Sequence, residues 1–176
     1  METDPRYPIG RFEPTGPMTP EARKEAIDAI ALAPGALRAA LAGLTAEQLD
    51  TPYRAGGWTV QQVAHHVADS HLNAFVRFKI ALTEDVPEIR PYDEGAWADT
   101  PDVLAVPVEA SLAILDGLHA RWTSLLRSME PDEFRRRFRH PEHDGTPDLD
   151  WLLQLYAWHG AHHVAHVVSL RDRMGW

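Results

Sequence analysis

Four histidines, His159, His162, His163 and His166, fall within eight residues, inside a segment whose apolar residues recur at helical spacing over Leu149–Arg173. An α-helix advances about 100° per residue, so positions three and four apart share a face. With His159 at zero, His163 lies at roughly 40°, His166 at roughly 340° and His162 at roughly 300°. On the same scale Leu152 and Leu170 lie at roughly 20°, Leu155 at roughly 320° and Tyr156 at roughly 60°. The histidines therefore interrupt the core-facing stripe. Each buried ring needs a polar partner, so this level of the fold is not a plain hydrocarbon core. Two imidazoles at i and i+4 on one face can bind one metal ion. Two such pairs exist, His159/His163 and His162/His166, and spacing does not choose between them.

A second histidine cluster lies upstream. Thr59-Val60-Gln61-Gln62 has the capping-box pattern and predicts a helix running to about Thr83. Its apolar stripe is Val60, Val63, Ala64, Val67, Ala74, Phe75 and Phe78. With Val60 at zero, His71 lies at roughly 20°, His66 at roughly 240° and His65 at roughly 140°. Periodicity thus nominates His71 as the inward histidine, with His66 second.

Two further helices complete the pattern. Thr19-Pro20 opens the first, since Thr caps well and Pro suits the first helical position. Its apolar pattern is Ile27, Ile30, Leu32, Leu37 and Leu41, and Pro34-Gly35 predicts a kink or short break near Leu32–Gly35. Thr45-Ala46-Glu47-Gln48 is another capping box and predicts a short helical turn. The third long helix is expected over Pro107–Ser128, on Leu112, Leu115, Leu118, Trp122 and Leu125. Thr146-Pro147 is expected to launch the last. Residues 1–18 read as an extended arm, 84–106 as a long irregular connection and 130–146 as turns. Four helices of about 20 residues imply an all-α four-helix bundle, a single domain over residues 1–176. Bundles build metal sites from inward side chains on facing helices. One histidine of the second helix can therefore complete a site with a pair on the last.

Composition narrows the partners. A net charge of −9 argues against a nucleic-acid backbone, and Arg135-Arg136-Arg137-Phe138-Arg139 reads as a solvated surface. With no cysteine, the chain can form no disulfide and has no thiol nucleophile of its own. No apolar run approaches the roughly 20 residues of a membrane span. Met1-Glu2-Thr3-Asp4-Pro5 lacks the basic-then-apolar pattern of a secretion signal, so a cytoplasmic protein is expected.

The chain resembles the DinB/YfiT-like superfamily of metal-binding four-helix bundles. The resemblance rests on Tyr7-Pro8-Ile9-Gly10, Leu49-Asp50-Thr51-Pro52-Tyr53-Arg54, Gly56-Gly57-Trp58-Thr59-Val60, His65-His66, Ala68-Asp69-Ser70-His71, Arg77-Phe78-Lys79 and Ile89-Arg90-Pro91-Tyr92-Asp93-Glu94, on His119 to Leu126, and on the terminal Trp158-His159 to Trp176. It implies a histidine triad on one divalent ion, nickel or zinc, with His66, His159 and His163 as ligands. It selects His66 over His71 and leaves His65, His71, His162 and His166 in other roles. It also implies a homodimer, and an enzyme that is either a metal-dependent hydrolase or a transferase of low-molecular-weight thiols such as bacillithiol to a small electrophilic substrate.

Three neutral imidazoles would leave an ion its full charge and at least one open position, the arrangement of a catalytic rather than a closed structural site. Such an ion can acidify a water or a thiol. The leading expectation is thiol transfer, followed by hydrolysis and then by a non-catalytic metal-binding stress protein. Asp69, Ser70, Asp93 and Glu94 read as surface or capping residues, and no catalytic residue is assigned.

Overall fold

Polar caps set where the helices start. The computed structural model describes residues 4–143 and 145–176. Residues 1–3 of the expected arm and Asp144 of the polar connection lie outside the described residues. Helix α1 (Pro20–Leu41) begins at Thr19, whose hydroxyl accepts from the Ala22 N–H at 3.2 Å. Thr45 and Gln48 form the capping box of α2 (Ala46–Leu49), and Thr59 and Gln62 that of α3 (Val60–Thr83). Helix α6 (Val108–Ser128) follows two short helices, α4 (Glu94–Ala98) and α5 (Pro101–Ala105). A single 3₁₀ turn (Glu133–Arg135) precedes α7 (Leu149–Met174).

The four long helices form a four-helix bundle. Helices α1 and α3 sit at opposite corners, each flanked by α6 and α7. Among the described residues there is no strand, only isolated bridges, and no single helix is long and apolar enough to cross a membrane.

Several expectations about the helices and their connections need correction. Helix α1 has no break at Pro34, and Leu32 of its expected apolar pattern is exposed. Proline removes the N–H that would bond the Ile30 carbonyl, and the His119 Nδ1–H donates to that oxygen instead, at 2.7 Å. Helix α7 is launched by Asp148 rather than Thr146, the Asp148 carboxylate accepting from the Trp151 N–H at 2.9 Å. Pro147 is held outside the helix because its carbonyl accepts from the Phe138 N–H. The connection over 84–106 is not wholly irregular, because α4 and α5 pack on α3. Gln62 there donates to the Ala98 carbonyl, and Gln61 to that of Val103.

The core has two apolar halves. One gathers Ile27, Ile30, Phe78, Trp122, Leu152 and Leu153, and the other Leu37, Val63, Val67, Leu112, Leu115 and Leu170. Between them on α3, α6 and α7 lie His66, His71, His119, His159 and His163, a polar layer across the bundle. The arm runs along α7, where Thr15 and Met18 bond Gln154 and Asp150 and Phe12 packs on Trp151 and Trp158.

Candidate metal centre

Helix periodicity carries three histidines to one point. On α7, His159 and His163 are one turn apart, with ring centroids 4.4 Å from each other. His66 of α3 lies opposite, its ring 5.4 Å from that of His159 and 4.8 Å from that of His163. One ring nitrogen from each of the three lies within 4.8 Å of the other two. Trp58 packs against His66, with ring centroids 4.6 Å apart.

Burial keeps these rings neutral. Desolvation first, and the neighbouring histidines second, pull His66 down to about 4 from an ordinary 6.5. The same causes push His159 and His163 well below the ordinary value. Neutral imidazole is the form that offers a lone pair to a metal. The Nδ1 of His163 is buried with no hydrogen-bond partner, an arrangement that costs about 1–3 kcal/mol if nothing engages it. Three neutral nitrogen donors and an unpartnered buried ring atom fit a divalent transition metal, for which imidazole is a good ligand.

The other histidines have separate employment. His65 donates from Nε2 to the Val106 carbonyl at 3.0 Å and accepts at Nδ1 from the Ser111 hydroxyl at 2.7 Å. His162 stacks on Trp158, with centroids 4.2 Å apart. His166 stacks on Tyr53 and donates to the Arg6 carbonyl at 3.2 Å. His71 is inward, as periodicity predicts, yet it bonds His119 and His159. Asp93 caps α4 by accepting from the Ala96 N–H. Ser70 is buried beside the triad, its Oγ 3.4 Å from both the Tyr156 hydroxyl and His159 Nε2. Burial raises the carboxyls of Asp69 and Glu94.

A cavity of about 180 Å³ opens beside His159 and is lined by Ser70, Arg77, Tyr92, Glu94, His140 and Tyr156, among others. Burial raises the Tyr92 and Tyr156 hydroxyls, so both stay protonated. Of these lining residues, Arg77, Tyr92, His140 and Tyr156 are given no functional role by sequence reasoning, although Arg77 and Tyr92 stand in stretches that carry the resemblance. His119 begins one of the stretches that carry the resemblance but is given no role, although it lies seven residues after Leu112 and three before Trp122, on the α6 stripe.

Comparison with known proteins agrees with this architecture. The family model of the DinB superfamily matches residues 29–167. A Bacillus mycoides protein provisionally named a metal-dependent hydrolase is 51% identical over 173 residues, covering 98% of this chain and 99% of that protein. Bacillus subtilis YfiT, which carries the same provisional name, is 47% identical over 170 residues, covering 97% and 96%. The solved YfiT structure, described as a probable metal-dependent hydrolase with an unusual four-helix bundle topology, superposes with a TM-score of 0.96 at 46% identity over 99% of each chain. A second four-helix bundle, TT2238, shares the fold at a TM-score of 0.60 and 24% identity, over 84% of this chain and 98% of that one.

Proposed function

The chain belongs to the DinB superfamily, and on that footing we propose a metal-dependent enzyme in which His66, His159 and His163 hold one divalent ion, nickel or zinc. Its reaction is the transfer of a low-molecular-weight thiol of the bacillithiol type to an electrophilic small molecule. The observation that carries the metal reading is the convergence of three neutral imidazoles within 4.8 Å at the edge of a polar cavity. When bound, the ion supplies Lewis acidity that lowers the pKa of a thiol or a water.

The protein's own groups bind and orient. Arg77 gives the cavity a cation, Glu94 and Glu142 give it carboxyl groups, and Tyr92 and Tyr156 give it hydroxyl donors, which suits a small polar substrate. The chain has no cysteine, so the sulfur must come from a cosubstrate. In the transfer, sulfur bonds to the electrophilic carbon, the leaving group departs with its electron pair, and the thiol proton passes to solvent. Hydrolysis is the second reading, favoured by the names of the relatives. The same family reading carries a homodimer and a cytoplasmic location, to be checked by mass in solution and by fractionation.

The test is the visible and near-ultraviolet spectrum of the cobalt-substituted protein before and after addition of a small thiol. One cobalt per chain with a sulfur-to-metal band that grows with thiol supports transfer. Cobalt bound but indifferent to thiol moves hydrolysis ahead. A spectrum showing no exchangeable position would support a non-catalytic metal protein, and failure to bind would end the metal reading.

A further inference from the structure

A chain of hydrogen bonds passes once through each long helix and ends on His159. The Ile30 carbonyl of α1 meets His119 Nδ1 of α6 at 2.7 Å. His119 Nε2 meets His71 Nδ1 of α3 at 2.9 Å. His71 Nε2 meets His159 Nδ1 of α7 at 3.2 Å. The direction of every bond follows from its first member. A carbonyl oxygen can only accept, so His119 Nδ1 carries its proton. A neutral ring then has a bare Nε2, which accepts from His71 Nδ1–H, and the same step repeats to His159. His71 is 0% and His119 3% exposed, and none of these bonds involves a carboxylate. An imidazolium there would be an uncompensated buried charge.

We infer that His119 and His71 are positioning residues that lock His159 in its Nδ1–H tautomer, so that Nε2, which faces the Ser70 hydroxyl at 3.4 Å, is the nitrogen that keeps a lone pair for a metal. The opposite tautomer of His159 would set two lone pairs against each other across 3.2 Å. Pro34 anchors the device, because a proline four residues after Ile30 frees the carbonyl on which it starts. Gly160 gives it room. A Cβ there would meet Ala33 Cβ at a tight 3.1 Å and touch His71 Cε1 at 3.4 Å.

The inference rests on His159 being a ligand, so its test reads the tautomer separately from the metal. Long-range proton–nitrogen spectra of ¹⁵N-histidine-labelled, metal-free protein should show His119, His71 and His159 all protonated at Nδ1. In His119→Leu the His71 and His159 signals should move toward a mixture of tautomers, and cobalt affinity should fall roughly ten- to a hundredfold. His119→Gln should restore both, since its amide N–H can donate to Ile30 while its oxygen accepts from His71. An Nε2–H tautomer at His159 in the unmodified protein overturns the inference even if no variant folds. So does a folded His119→Leu variant with unchanged spectra and affinity. If the tautomers are as stated but the unmodified protein binds no cobalt, the ligand assignment fails and the relay stands.

Discussion

His162 and His163 are neighbours on α7, yet one residue of helical rotation separates their roles. His163 turns toward His66 and His159, whereas His162 lies flat on Trp158. Each has a buried Nδ1 without a partner, so neither burial nor polarity tells them apart; only direction does. His163→Ala should therefore abolish tight cobalt binding, and His162→Ala should reduce it much less. Equal losses on titration of the two folded variants would remove His163 from the ligand set. Spacing alone leaves both pairs of α7 histidines open, and the resemblance is what selects one. On α3 the stripe correctly turns His71 inward, but inward meant toward His119 and His159 rather than into the triad. Periodicity measures distance from the helix's own apolar centre and carries no information about which neighbouring helix a ring will face.

Between elements, the strongest fastening that sequence reasoning overlooks joins α1 to α7. Arg23 Nε and Nη2 donate to the two carboxylate oxygens of Asp150 at 2.7 and 2.8 Å, and the Met18 N–H adds a third bond. The paired side chains are only 10% and 3% exposed, so removing one partner strands the other. Asp150→Ala should cost about 3–5 kcal/mol in urea unfolding. Asp116→Ala, which removes the exposed partner of Arg38, should cost less than about 1 kcal/mol. Comparable losses in the two variants would refute the distinction. Helices α1 and α3 are readable because cap and apolar period agree at Thr19 and Thr59. The misreadings share one cause, a local signal overruled by a distant partner. Pro34 marks a break only while nothing else bonds the Ile30 carbonyl, and the donor that does is 89 residues away. Pro147 looks like a first helical residue until Phe138 claims its carbonyl. Arg136, expected on a solvated surface, donates to the Ala81 and Glu84 carbonyls at the end of α3.

Across the whole molecule, a layer of neutral imidazoles between two apolar halves ties stability to pH. An unfolded histidine titrates near 6.5, whereas burial holds His66 and His162 at about 4 in the folded chain and His71, His159 and His163 well below 6.5. Between those limits the unfolded state binds protons that the folded state refuses. Unfolding therefore becomes more favourable as pH falls, by up to about 1.4 kcal/mol per pH unit for each such histidine. Asp69 and Glu94, with raised carboxyls, act in the opposite sense nearer their own range, but they are two groups against a full layer. The metal-free protein should thus lose stability steeply from about pH 6.5 toward pH 4, with the urea midpoint falling between pH 7 and pH 5. A bound ion requires the same deprotonated rings, so it should stabilise the fold at pH 7 and be released within that window. A midpoint unchanged between pH 7 and pH 5 in metal-free protein would mean that the layer opens to water before it titrates. The division of the core by buried neutral histidines would then not describe the molecule in solution.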